Sequence, residues 1–137
     1  YFTTLSGGRY QLSRKREGAS RGYSGLDLEI YDAYSGGGRN VDTLSGGELF
    51  LASLSLAFGL SDVVQSYSGG VRLESIFIDE GFGTLDEETL NTAMKALFEI
   101  QKSGRTVGII SHVAELKSRI PAQIRILDDH KIKVVLP

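Results

Sequence analysis

The chain has 137 residues, 17 of them glycine, no cysteine, and a formal net charge of −2. That length suits one domain with its own core, the lack of cysteine excludes disulfides and thiolate metal sites and fits a reducing compartment, and the near-neutral charge leaves only local patches for nucleic acid. No apolar run in the sequence reaches membrane-spanning length, and the start, Tyr1-Phe2-Thr3-Thr4, carries neither a signal-peptide pattern nor an initiator methionine, so it reads as part of something longer.

Leu5-Ser6-Gly7-Gly8 reads as a turn into a first strand, because Arg9-Tyr10 and a period-two pattern follow it. Arg9 to Arg14 alternates, with Tyr10 and Leu12 on one face. Leu26 to Tyr34 alternates too, with Leu26, Leu28 and Ile30 on one face and Asp27 and Glu29 opposite. Both predict half-buried strands, joined as a hairpin by the loose polar loop from Lys15 to Gly25. Ser35 to Asn40 predicts a flexible connection. Thr43-Leu44-Ser45-Gly46-Gly47-Glu48 then opens a helix running from 47 to about 65, with Ser45 and Glu48 spaced as a capping box. Leu49, Phe50, Leu51, Leu54, Leu56, Phe58, Leu60, Val63 and Val64 leave that helix no wide polar face, which predicts burial on all sides. Ser66 to Val71 reads as a surface loop.

Ser75 to Glu80 predicts an apolar strand covered on both faces, as in a parallel sheet. A loop from Gly81 to Leu85 leads to Asp86, the cap of a helix from Glu87 to about Ser103. Leu90, Ala93, Met94, Leu97 and Ile100 form its buried stripe, and Gly104 stops it. Thr106 to Ile110 is a second buried strand, completing a βαβ unit with the usual right-handed crossover, and Ser111-His112 ends it. A short helix from Ala114 to Arg119, closed by Pro121, precedes a terminal hairpin of Gln123 to Leu127 and Lys131 to Leu136 about Asp128-Asp129-His130. His130 reads as a surface residue.

Ligands of open parallel sheets sit beyond the carboxyl ends of the strands. Two strands end there in loaded residues, Asp79-Glu80 and Ser111-His112. Phosphoryl transfer needs a carboxylate for Mg2+, a group that orients or deprotonates water, and donors for the transferred phosphoryl. Asp79 suits the first role, in the manner of a Walker B aspartate, and Glu80 the second, as general base; the plainer reading of each is a solvated strand end. His112 is either a contact for a γ-phosphate or an incidental loop histidine. Ser45, Gly46 and Gly47 form either an anion site at a helix N-terminus or a well-capped helix and no more. Asp86 reads first as an N-cap. No Gly-x-x-x-x-Gly-Lys-Ser/Thr occurs, so the chain holds half of a nucleotide site and the phosphate cradle must come from elsewhere. Arg9, Arg14, Lys15, Arg16 and Arg21 make a modest basic cluster, suited to a DNA backbone or simply to a solvated loop.

Four motifs occur here in one order. Leu44-Ser45-Gly46-Gly47-Glu48 resembles the signature motif of ABC-type ATPases, Ile76 to Glu80 the Walker B strand with its catalytic glutamate, Thr84-Leu85-Asp86 the D-loop, and His112 the switch histidine. Asp79-Glu80-Gly81-Phe82-Gly83-Thr84-Leu85-Asp86, Ile109 to Val113 with Lys117, Arg119-Ile120-Pro121 and Gln123-Ile124, and Leu5-Ser6-Gly7-Gly8-Arg9-Tyr10 narrow the resemblance to the C-terminal lobe of SbcC-type subunits, SMC-like ATPases of the bacterial SbcC–SbcD DNA exonuclease.

The resemblance implies an α/β fold, the C-terminal half of an ABC-type P-loop ATPase head. That head has a mainly parallel sheet with flanking helices, plus antiparallel hairpins at both ends. Its parts would be a hairpin region (1–42), the signature motif and helix (43–66), and the Walker B, D-loop, switch histidine and terminal hairpin (67–137). A long coiled coil would separate this lobe from an N-terminal Walker A lobe of the same protein. The implied ligands are ATP and Mg2+. Asp79 would hold the metal, Glu80 and His112 would be catalytic, and Ser45, Gly46, Gly47, Glu48 and Asp86 would be nucleotide-binding. Ser45 and Gly47 would face the γ-phosphate bound by a second copy of the protein, and Asp86 would cross the same interface. Closure of that dimer would gate an SbcD-type nuclease on double-stranded DNA ends or hairpins; the basic cluster, and not the resemblance, offers Arg14, Lys15 and Arg16 as DNA contacts, with a solvated loop as the plainer reading. The setting would be the bacterial cytoplasm, near the nucleoid, with no membrane partner, and this lobe alone would be inactive. The alternatives are an SMC-like DNA-entrapping ATPase without a nuclease, which shares the split architecture, and an ABC transporter nucleotide-binding half, in which Pro usually stands at the place of Gly81.

Overall fold

The computed structural model describes residues 1–15, 27–67, 73–128 and 130–137. A short helix, α1 (Phe2–Leu5), precedes the first strand and was not legible from periodicity. Phe2 and Leu5 are buried, and the Phe2 ring stacks on Tyr10 with centroids 5.5 Å apart. Strands β1 (Tyr10–Arg14) and β2 (Leu28–Asp32) pair antiparallel, with Tyr10 opposite Asp32 and Leu12 opposite Ile30. The expected alternation holds, and Tyr10 and Ile30 enter the core. Residues 16–25 of the predicted loop, and Leu26 of the second predicted strand, lie outside the described residues.

The stretch expected as a flexible connection instead contains a strand, β3 (Gly37–Asn40), paired antiparallel with β2. Two of its four residues are glycine, so it carries almost no side-chain pattern. Backbone pairing along the β2 edge makes the strand, and periodicity cannot register that.

Helix α2 (Gly46–Tyr67) is longer than predicted at both ends, and it absorbs Ser66 from the expected loop. Residues 68–72 lie outside the described residues. The expectation of burial on all sides is corrected. Leu51, Ala52, Leu54, Ser55 and Phe58 are buried, but Leu49, Leu56, Leu60, Val63 and Val64 are exposed. The apolar composition covers two faces, and only one meets a neighbour within this chain. The helix is also long and apolar enough to cross a membrane by length and composition, contrary to the reading of the apolar runs. Its Leu51–Phe58 face is packed into the protein core, as in a core helix.

Strands β4 (Ser75–Asp79) and β5 (Thr106–Ile110) pair in parallel, with Ser75 opposite Thr106 and Asp79 opposite Ile110. Between them runs α3 (Glu87–Lys102), with Leu90, Ala93, Met94, Ala96 and Leu97 buried. Cover on both faces of β4 is likewise corrected: Ile78 is 6% exposed, while its neighbour Phe77 on the opposite face is 74% exposed. Helix α4 (Ala114–Arg119) has the predicted bounds. Strands β6 (Gln123–Ile126) and β7 (Ile132–Val135) form the terminal antiparallel hairpin. Ile124 pairs with Val134 and Ile126 with Ile132, so one face of the hairpin is a bare apolar patch. The core gathers around Phe58, Phe82, Leu5, Ile30 and Leu51. Arg105 at the foot of β5 pairs with Asp62 of α2, which also accepts the Tyr1 hydroxyl.

Candidate nucleotide site at the carboxyl ends of β4 and β5

Parallel register sets Asp79 beside Ile110, and the Glu80 N–H donates to the Ile110 carbonyl at 2.9 Å. Glu80 then turns left-handed, with φ of 61°, a conformation uncommon for a residue with a side chain. Its carboxylate meets His112 beyond the end of β5, with Nδ1 3.0 Å from Oε2 and 3.2 Å from Oε1. Both side chains face solvent. Asp79 is exposed beside them, and its carboxylate has no partner among the described residues. Of the groups expected to converge, Glu80 and His112 come into contact.

The second part of the site is the start of α2. The Ser45 hydroxyl accepts the Glu48 N–H at 3.3 Å, and the Glu48 carboxylate accepts the Ser45 N–H at 2.8 Å, a reciprocal capping box. The Ser45 hydroxyl keeps its own proton for a further acceptor. Both Glu48 oxygens are engaged within the chain. Oε1 takes the Tyr10 hydroxyl, and Oε2 lies 3.4 Å from Arg39 Nη2. Burial pushes the Glu48 carboxyl up, but the hydrogen bonds from Tyr10 and Ser45, with the nearby Arg39 charge, outweigh it and hold the group below its ordinary value. Burial, then the bond to the Glu48 carboxylate, pushes the Tyr10 hydroxyl up to about 12.

A turn joins the two parts. Gly81 has φ of 94°, and a Cβ there would overlap the Phe50 ring. The expected loop beyond it is a 3-10 turn, Phe82–Thr84, whose buried Phe82 meets Phe50 edge-on with centroids 5.0 Å apart. A Cβ on Gly47 would stand 3.0 Å from both the Thr84 carbonyl and Leu85 Cδ2, so the first turn of α2 seats directly on this segment. On its other side, Gly83 approaches Val113 beside His112. Asp86 follows as the N-cap of α3, accepting the Thr89 N–H at 2.9 Å and the Thr89 hydroxyl at 2.7 Å. The Thr89 N–H, then its hydroxyl, holds the Asp86 carboxyl below the usual range.

Of the basic residues, Arg14 and Lys15 are exposed at the end of β1, whereas Arg16 and Arg21 lie outside the described residues. Arg9 is drawn away from that cluster. It pairs with buried Asp32 at 3.2 Å and lies over the Tyr10 and Tyr34 rings. Sequence reading passed over the group formed by Arg9, Tyr10, Asp32 and Arg39; its one visible sign was Arg9-Tyr10 directly after a Leu-Ser-Gly-Gly turn.

The fold is similar to part of solved SMC head structures. A chain from a structural study of ATP-driven dimerization and DNA-stimulated activation of SMC ATPases superposes with a TM-score of 0.69 at 20% identity, covering 98% of this chain and 76% of that one. An SmcHead bound to the C-winged helix domain of ScpA gives 0.65 at 20% identity, covering 98% and 39%. Residues 20–99 match the family model described as SbcC/RAD50-like, Walker B motif, and the chain belongs to that family. It is 63% identical over 117 residues to the SbcC subunit of the SbcCD nuclease of Staphylococcus haemolyticus, across 85% of this chain. It is 56% identical over 126 residues to the SbcC subunit of Staphylococcus aureus strain JH9, across 92% of this chain. The chain spans 12% of the length of each of these relatives.

Proposed function

We propose that this chain is the C-terminal lobe of an SbcC-type ATPase head, which hydrolyses ATP when combined with a Walker A lobe. The observation that carries this reading is the Glu80–His112 contact at 3.0 Å, next to Asp79, which has no partner among the described residues, at the ends of two neighbouring parallel strands. Glu80 takes the proton of the attacking water. His112 holds the Glu80 carboxylate by donating through Nδ1, and with both ring nitrogens protonated its Nε2–H donates to a γ-phosphate.

The donor set fits Mg2+ held in the usual way of nucleotide sites. Asp79 is one exposed carboxylate, and no cluster of three or more acids or histidines among the described residues makes a metal cage. Such a site leaves the remaining positions to phosphate oxygens and water. Bound there, the ion would neutralise phosphate charge. Ser45, Gly46 and Gly47 present a hydroxyl and amides at a helix N-terminus, suited to phosphate bound by a second copy. Glu48 keeps that turn in shape, and Asp86 would cross the same dimer interface.

The bare faces of α2, β4 and the β6–β7 hairpin are suited to the N-terminal lobe. On this reading the chain divides into a hairpin region, a signature helix and a Walker B to hairpin segment. An SbcD-type nuclease, double-stranded DNA reached through Arg14, Lys15 and Arg16, and a cytoplasmic, nucleoid-associated setting complete the proposal. The test is ATP turnover by this chain mixed with a separately made Walker A lobe, wild type against Glu80→Gln. Turnover that needs both lobes and is lost in the variant is expected. Turnover by this chain alone, or turnover indifferent to Glu80→Gln, would overturn the assignment.

A further inference from the structure

Glu48 is the meeting point of the three-stranded sheet and the start of α2. Tyr10 of β1 donates its hydroxyl to Oε1, and Arg9 Nη1, just before β1, stands 3.9 Å from the same oxygen. Arg39 of β3 reaches Oε2, which also accepts the Ser45 N–H at 2.8 Å. From β2, Asp32 holds Arg9 in place. Both guanidinium groups lie over the Tyr10 ring, Arg9 at 4.6 Å and Arg39 at 5.0 Å. Donors outnumber acceptors here, for Arg39 Nε is buried with no partner among the described residues. A carboxylate so surrounded is held from both oxygens, and charge-assisted bonds of this kind are geometrically demanding. Two strands of the sheet, β1 and β3, thus meet on the side chain that shapes Ser45, Gly46 and Gly47, and β2 supports them through Arg9.

We infer that Tyr10 and Arg39 are positioning residues for the phosphate-facing turn at Ser45–Gly47, acting through Glu48 and coupling the three-stranded sheet to nucleotide turnover. This rests on the ATPase reading above. Neither residue touches nucleotide in the proposal; each fixes the Glu48 carboxylate, and the carboxylate fixes the Ser45 amide. The capping box alone would set only the local turn. The bonds to β1 and β3 tie it to a separate layer, so a shift of the sheet moves the turn.

The experiment uses the intact subunit that carries this chain, with its nuclease partner. Tyr10→Phe keeps the ring on which both arginines and Phe2 pack and removes only the donated proton. The expected result is a fall in kcat of about tenfold with KM for ATP within about twofold, the signature of a contact realised after binding. The structural alternative is separated by a double-mutant cycle with Glu48→Ala. If Tyr10 works through the Glu48 carboxylate, Tyr10→Phe has no further effect in the Glu48→Ala background. Arg39→Gln enters the same cycle and carries the test if Tyr10→Phe does not fold. Unchanged kcat in the single variants, or losses that add in full to that of Glu48→Ala, would overturn the inference. Loss of turnover in Glu80→Gln alongside wild-type kcat in Tyr10→Phe and Arg39→Gln would leave the ATPase reading standing and remove only this one. Turnover indifferent to Glu80→Gln would remove both.

Discussion

Gly81 and Phe50 occupy space that admits nothing larger than a hydrogen at the glycine. The Phe50 ring covers the position of the missing Cβ, and φ of 94° at Gly81 belongs to the left-handed region. This contact lets the first turns of α2 close against the turn that follows Glu80. Gly81→Ala meets both a backbone penalty and an overlap, together about 2–4 kcal/mol of lost stability. Urea unfolding at one fixed protein concentration should show a lower midpoint than wild type. Gly81→Pro should be worse, because proline fixes φ near −65°. A midpoint for Gly81→Ala equal to wild type would show that Phe50 moves aside without cost.

Glu80 and His112 should separate chemistry from binding. In the intact subunit, Glu80→Gln removes the base but keeps the carboxamide oxygen that His112 can reach, so a fall in turnover of about 10²-fold or more is expected. Nucleotide-driven association of the heads should survive, since the variant loses no phosphate donor. Single-turnover hydrolysis and size-exclusion chromatography with ATP read the two effects apart. Loss of association together with hydrolysis would instead give Glu80 a binding role.

Asp86 should contribute to acid sensitivity. The Thr89 N–H, and then its hydroxyl, holds the folded-state carboxyl below its unfolded value. A depressed carboxyl stabilises the fold fully above its unfolded pKa of about 4 and loses that contribution as pH falls through the folded value. Other carboxyls in the chain are also held low, among them Asp32 beside Arg9. The useful quantity is therefore the difference between wild type and Asp86→Asn. The gap in unfolding midpoint should be open at neutral pH and close below about pH 4. A gap independent of pH would show that the cap works without its charge.

The bare apolar surface should make the isolated chain self-associate. Leu60 is 64% exposed, Phe77 74% and Ile126 79%, on three separate elements. Faces of this size are uncommon on monomers. Light scattering should report a mass that rises with concentration, falling back on addition of the Walker A lobe. Leu60→Lys with Ile126→Lys should lower the association without altering the helix content. A monodisperse monomer at all concentrations would remove the argument that these faces await cover.

Local chemistry was legible in the residues themselves. Ser45 with Glu48, and Asp86 before its helix, announce helix starts because capping acts over three positions. The apolar runs ending in Asp79-Glu80 and Ser111-His112 announce strand ends by composition, and α4 follows from short-range spacing. Where side chains carry no pattern, as in Gly37–Asn40, sequence reading failed, because a strand there depends on pairing with β2. It also overestimated cover on α2 and β4, because an apolar residue signals that a face is to be buried without saying by which chain. Tertiary structure alone decided that Glu80 and His112, 32 positions apart, stand in contact. It alone decided that Tyr10 and Glu48, 38 positions apart, share a hydrogen bond. The physical reason is register: parallel pairing that sets Asp79 against Ile110, and packing that seats Gly47 on Thr84, are choices among distant partners, and no local periodicity encodes them.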